Sequence, residues 1–179
     1  MRMENELPQR KKNRLENYDY SSCGAYFLTI CTQNRRSLLS QIVGGAPCDS
    51  IVGVDVPGDP TVKLLPYGIV ADKYINQFNE FYDNITVDHY VIMPNHIHIL
   101  LLVGNDGSPG TSTPTKPTST VSHFVSTFKR FCNKECGENI WQRGFYDHII
   151  RCREDYGEIR KYIYENPMRW YYDKLYTDK

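Results

Sequence analysis

The run His96-Ile97-His98-Ile99-Leu100-Leu101-Leu102 restricts the possible folds of this chain more than any other stretch. Two histidines one residue apart, inside an apolar run rich in Ile and Leu, read as neighbours on one face of a β-strand. Buried strand positions normally hold apolar or small side chains, so an imidazole there needs a polar partner or a metal ion. A hydrogen-bonded pair of core histidines meets that need as well as a metal site does. Upstream, Pro94-Asn95 suits a tight turn, so residues 86–93 and 96–103 read as the two strands of an antiparallel hairpin.

The stretch from Glu154 to Pro167 reads as a helix, with acids in its first turn that suit the helix dipole. Ile159, Tyr162, Ile163 and Asn166 recur at the spacing of three and four that makes one helical face. Pro167 cannot continue a helix and biases Asn166 away from helical geometry, so the element is expected to end there. Tyr162 then lies about one turn from that end, with Asn166 beside it at i+4. Tyr164 is about 200° further round the axis and cannot share that face. The chain holds 14 tyrosines, and Tyr164, Tyr171, Tyr172 and Tyr176 are read as packing or stacking residues.

The other elements follow from the same periodicities. Residues 25–33 read as a strand, 66–82 and 120–136 as amphipathic helices, and 145–151 as a last strand. Residues 43–60 and 104–119, rich in Gly, Pro, Ser, Thr or Asp, read as flexible loops. The order β-α-β-β-α-β is that of a ferredoxin-like fold. The expectation is thus an α+β protein whose antiparallel sheet carries helices on one face, with a C-terminal tyrosine-bearing helix crossing the face that holds the histidines. At 179 residues the natural division is a single domain spanning 1–179.

Several blocks in this order resemble a known family. His96-Ile97-His98 after Met93-Pro94-Asn95 resembles the histidine–hydrophobic–histidine motif of the HUH endonuclease superfamily, in particular its single-tyrosine transposases. The stretch from Arg14 to Tyr20 and the strand from Gly24 to Thr32 are similar to that family's opening. The segment Ile140 to Arg151 is similar to the block before its tyrosine helix, and Tyr162-Ile163-Tyr164-Glu165-Asn166-Pro167 to the end of that helix. The likeness covers roughly residues 10–170 and is closest to the bacterial REP-associated tyrosine transposases (REP, repetitive extragenic palindrome). It implies Mg²⁺ or Mn²⁺ as cofactor, Tyr162 as nucleophile, a 5′-phosphotyrosine intermediate and a free 3′-hydroxyl. It also implies single-stranded, hairpin-forming DNA as partner. Some relatives work as dimers with the tyrosine helix donated in trans, others as monomers with it in cis, so monomer and homodimer both stay open here.

The same chemistry can be built from the residues. Cleaving a phosphodiester with an enzyme nucleophile needs an oxygen in line with the leaving group and positive charge on the phosphoryl oxygens. Tyr162 offers the oxygen. His96 and His98, with the side-chain oxygen of Asn166, offer a ligand set for a divalent cation that polarises the phosphate. Two imidazoles alone would suit zinc equally, so the metal's identity rests on the resemblance. Two other readings compete: a ferredoxin-like nucleic-acid-binding module without chemistry, and a zinc hydrolase built on the histidine pair. No element of the HExxH type supports the second of these.

Charge bears on the partner. The formal net charge is +0, a mild objection to a DNA enzyme, because phosphate binding favours basic surfaces. The charge is unevenly spread: residues 1–36 carry 7 Lys/Arg against 4 Asp/Glu, and residues 37–120 carry 3 against 8. Candidate DNA contacts are Arg10, Lys11, Lys12, Arg14, Arg35, Lys129, Arg130, Arg143 and Arg151, with Trp141, Phe145, Tyr146 and Trp170 as possible platforms for unpaired bases. Six cysteines without CxxC pairs read as reduced cytoplasmic thiols. No apolar run reaches the ~20 residues of a membrane span, and the polar N-terminus does not read as a secretory signal.

Overall fold

Tyr26, Leu28 and Ile30 are fully buried along one face of the first strand, while Phe27 and Thr29 point to the other face. That alternation builds a two-sided sheet. The computed structural model describes residues 22–44, 60–82, 84–104 and 119–176. In chain order these form β1 (Gly24–Cys31), β2 (Ser40–Val43), β3 (Thr61–Leu64), α1 (Pro66–Phe81), β4 (Ile85–Ile92), β5 (His96–Val103), α2 (Thr120–Cys136), β6 (Tyr146–Ile150) and α3 (Arg153–Glu165). The main sheet has the order β4-β5-β1-β6, with every neighbouring pair antiparallel. Setting aside the small β2–β3 hairpin, this is the ferredoxin-like arrangement, and the histidine strand β5 lies centrally in it.

The core fills the face covered by α1 and α2. Ala71, Ile75 and Phe78 from α1 and Val121, Phe124, Val125, Phe128 and Cys132 from α2 meet Ile97, Ile99, Leu101 and Val103 of β5. Their helical spacing gives each helix one apolar stripe. Gly68 lets α1 approach the residue that precedes β2: a Cβ there would lie 1.9 Å from the carbonyl oxygen of Leu39. Ser119 caps α2 by accepting from the Ser122 amide at 3.2 Å, and Gly137 ends it at φ 74°. Trp141 is 2 % exposed and packs on Phe128, and Trp170 is 5 % exposed beside His96. These two of the four expected base platforms are therefore interior residues.

One short hairpin is unexpected, and one local expectation is corrected. The 43–60 region is bracketed by a four-pair antiparallel ladder, Ser40↔Leu64 to Val43↔Thr61, whose strands are too short to show in the pattern; residues 45–59 lie outside the described residues, as do most of 104–119. At the other end of the chain, Asn166 keeps helical geometry (φ −56°, ψ −42°), and the chain runs on as a 3₁₀ segment, Asn166–Tyr172. Pro167 sits in the first turn of that segment, where its missing N–H has no partner to lose.

Candidate active site

The register sets the site. On the face opposite the core, Thr29 pairs with His98 and Cys31 with His96, and α3 packs across β4 and β5 on that face. His96 is fully buried and His98 is 3 % exposed. Their Nε2 atoms are 3.0 Å apart. Phe27 stacks on His98 with ring centroids 5.0 Å apart, and Trp170 lies 5.9 Å from His96.

Each imidazole is oriented through its other nitrogen. The Asn95 amide nitrogen donates to the Leu175 carbonyl at 2.7 Å, so its oxygen faces Nδ1 of His96 at 2.8 Å. His96 must then carry its proton on Nδ1, which leaves Nε2 as a lone pair. Nδ1 of His98 meets the Thr29 hydroxyl at 2.9 Å. That hydroxyl can accept, which makes the tautomer with a free Nε2 available to His98 too. Burial, together with the Arg35 charge, pushes the His96 pKa down to about 3, and burial beside His96 puts His98 well below its ordinary value. Both rings are neutral at physiological pH.

Tyr162 comes down from α3 with its hydroxyl 3.4 Å from Nε2 of His98 and its ring edge-on to Phe27 at 5.9 Å. Burial, and then the Asp173 carboxylate, raise its phenol above the ordinary value, partly offset by Asn166. Asn166 is 1 % exposed; its amide nitrogen donates to Asp173 at 3.3 Å, while its Oδ1 has no partner. Tyr164 is 80 % exposed and stands outside this cluster.

The residues fit a divalent cation. One ligand atom each from His96, His98 and Asp173 lies within 4.8 Å of the others, and the orphaned Asn166 oxygen is a further neutral donor. Two Nε2 atoms at 3.0 Å match adjacent ligands on one ion with bonds of about 2.1 Å. Nitrogen, amide and carboxylate donors together are acceptable to Mn²⁺ or Mg²⁺ and equally to zinc. Asp173 escaped the sequence reading because only the 3₁₀ segment folds it back over the sheet. Asn95 and Thr29 could have been suspected, one as the neighbour of His96 and the other as a polar residue in an apolar strand.

Asp88 supports the imidazole of the adjacent His89. It sits at a bulge in the β4–β5 register, 2.7 Å from Nδ1 of His89, and accepts a short hydrogen bond from Tyr156 of α3. Burial pushes its carboxyl up, but the Tyr156 and His89 hydrogen bonds hold it below the ordinary value. Arg160 of α3 donates to His89 Nε2 at 2.9 Å. A separate cleft of about 750 Å³ between α1 and α2, lined by Tyr74, Phe78 and Phe131, lies on the opposite face and contains no histidine.

The comparisons with known proteins bear on this geometry. A Haemophilus influenzae protein assigned as a REP-associated tyrosine transposase is 31% identical over 186 residues, covering 92% of this chain and 82% of its own. The chain belongs to the REP-associated tyrosine transposases. An uncharacterised protein of the same organism is 31% identical over 187 residues, 96% of each chain. The Escherichia coli REP-associated tyrosine transposase is 25% identical over 160 residues, 89% of this chain and 75% of its own. A solved REP-associated tyrosine transposase bound to a REP hairpin shares the fold at TM-score 0.57 and 22% identity, over 87% of this chain and 74% of that one. No family model matches.

Of the expected basic residues, Lys129 and Arg143 line one cavity together with Gln33 and Asn34. Arg10, Lys11, Lys12 and Arg14 lie outside the described residues. Arg35, in a left-handed turn with Asn34 (φ 53° and 56°), reaches the Lys174 carbonyl at 3.5 Å, close to His96. Lys129 is a strut: its ammonium donates to the carbonyls of Gln142 and Gly144, and burial pushes its pKa down to about 8. Arg130 lies over the Phe131 ring at 5.2 Å, while Arg143 and Arg151 are exposed without an ion pair among the described residues. No described helix is long and apolar enough to cross a membrane.

Proposed function

We propose that this chain nicks and rejoins single-stranded DNA at hairpin or palindromic sequences through a 5′-phosphotyrosine on Tyr162. The carrying observation is the Tyr162 hydroxyl 3.4 Å from a histidine Nε2 that is itself 3.0 Å from a second. The substrate class is supported by the REP hairpin held by the solved relative. His96, His98 and Asn166, with Asp173, are the residues that would hold the cofactor. A bound Mg²⁺ or Mn²⁺ supplies Lewis-acid stabilisation of the charge on the phosphoryl oxygens.

The chain's own residues do the rest. Asn95 and Thr29 fix the imidazoles, and Phe27 and Trp170 wall them with apolar surface that strengthens local electrostatics. The Tyr162 oxygen attacks phosphorus, and the bond from phosphorus to the 3′-oxygen breaks. The phenol proton passes to Asp173, the carboxylate that raises the phenol, and the leaving 3′-oxygen takes a proton from solvent to end as a hydroxyl. Attack by a 3′-hydroxyl on the phosphotyrosine reverses these steps and rejoins a strand. The contact of Tyr162 with His98 of its own chain supports a site assembled in cis. Acting on chromosomal palindromes, it works in the cytoplasm.

Covalent capture tests this. The protein is mixed with Mn²⁺ and end-labelled hairpin oligonucleotides and resolved under denaturing conditions. A labelled protein band, absent in Tyr162→Phe and in His96→Ala, is the expected result. Cleavage without an adduct in Tyr162→Phe would mean hydrolysis by a metal-bound water instead. Tight hairpin binding with neither adduct nor cleavage would leave a binding module.

A further inference from the structure

The cavity in which Tyr162 and His98 lie measures about 630 Å³, and Tyr146 and Tyr172 also line it. These two rings are 51 % and 74 % exposed. Neither side chain makes a hydrogen bond or a ring contact with any described residue. Several other tyrosines are engaged: Tyr67, Tyr74, Tyr90 and Tyr156 use their hydroxyls, and Tyr171 rests on Tyr176, while the exposed Tyr164 stands outside this cavity. Phe27, the third extra ring of the cavity, packs on His98 and Tyr162. Nothing in the fold accounts for Tyr146 and Tyr172.

Their placement does. Across the sheet, His98 of β5 pairs with Thr29 of β1, and Thr29 pairs with Tyr146 of β6. The three side chains form one row on one face, which puts Tyr146 about 10 Å from His98 by two strand spacings. β6 is the edge of the sheet, so this ring stands where a strand of DNA can leave the site. Tyr172 lies at the end of the 3₁₀ segment, directly before Asp173. One ring thus comes from the sheet edge and one from the C-terminal segment, and both open into the cavity of the nucleophile.

We infer that Tyr146 and Tyr172 form a stacking subsite for an unpaired nucleobase flanking the scissile phosphodiester, an inference that rests on the DNA-nicking reading above. An aromatic face accepts any base, so this subsite recognises single-strandedness and not sequence. It holds the strand on one side of the phosphate while Tyr162 approaches it. Double-stranded DNA, whose bases are already stacked on each other, cannot use it.

The test uses hairpin oligonucleotides with single-stranded flanks, in which each flanking nucleotide is replaced in turn by 2-aminopurine or by an abasic residue. Binding is measured without divalent ion. Tyr146→Ala and Tyr172→Ala are expected to weaken binding to the intact flank by roughly 5- to 100-fold each and to relieve 2-aminopurine quenching at one position. Tyr146→Phe and Tyr172→Phe are expected to retain both, because the ring is what matters. The abasic flank should bind wild type and the Ala variants alike. If the Ala variants lose affinity equally for intact and abasic flanks, or lose none, the stacking subsite is overturned. Adduct formation by wild type with Mn²⁺ is read in parallel: its presence with no stacking effect sinks only this inference. Failure of wild type to bind any flanked hairpin sinks both.

Discussion

Two neutral imidazoles buried side by side make the native state sensitive to acid. An unfolded histidine takes up its proton near pH 6.5, whereas folded His96 resists until about pH 3, and His98 resists as well. Between these limits the unfolded chain binds more protons than the native one, so stability falls as pH drops below 6.5. We expect a loss on the order of 2 kcal/mol per imidazole between pH 6.5 and 5. Denaturant unfolding with a chelator present, repeated for His96→Gln, checks this: the variant should show a shallower pH dependence. A wild-type curve that stays flat over that range would contradict the burial account. The hydroxyl of Thr29 makes a second residue-scale case. Removing it in Thr29→Val leaves the His98 tautomer unfixed and should lower Mn²⁺ affinity by about 10- to 100-fold. Titration calorimetry reads that directly, and an unchanged affinity would show that the hydroxyl does not orient the ring.

At the scale of elements, α3 is the lightly held part of the site. Ile163 is its one buried residue, so its seat on the sheet depends on polar contacts as much as on apolar area. Tyr156 and Arg160 clamp it to Asp88 and His89 of β4, two turns or less from Tyr162. Asp88→Ala leaves two donors without their acceptor and should cost about 1–3 kcal/mol of local stability. The expected signature is faster hydrogen exchange along α3 and a slower adduct-forming step, with hairpin affinity unchanged. Equal protection of α3 in both proteins would mean that the clamp does not seat the helix. The clamp was not legible in the sequence, because a β-bulge leaves no mark in composition. The main elements were legible: α1, β4, β5, α2 and β6 each announce themselves by period 2 or 3.6, and β5 and α2 begin and end where the pattern does. The β2–β3 hairpin has strands of four residues with no clear alternation. Pro167 misled for a different reason: it begins a 3₁₀ turn instead of stopping the chain, and that turn is what brings Asp173 to the histidines.

For the whole molecule, the near-balance of charge, 21 Lys/Arg against 21 Asp/Glu, limits how many phosphates can be neutralised together. With roughly 2–4 such contacts on a single strand, log Kobs should fall with log salt with a slope of about −1.5 to −3. A slope near −6 would contradict so small a number of contacts. Assembly of the site has a sharper consequence. Tyr162 lies 3.4 Å from His98 of the same polypeptide, and Asp173 and Asn95 close the group from within that chain. A His96→Ala chain keeps the nucleophile but lacks the metal pair, and a Tyr162→Phe chain keeps the pair but lacks the nucleophile. In a cis site neither defect can be supplied by the other molecule, so a mixture should form no more adduct than either variant alone. In a dimer that exchanges α3, the tyrosine of the His96→Ala chain would reach the intact histidines of its partner, and the label would appear on that chain. Giving the two variants different masses makes the outcome visible on one denaturing gel, and label on the His96→Ala band would replace the cis site with an exchanged one.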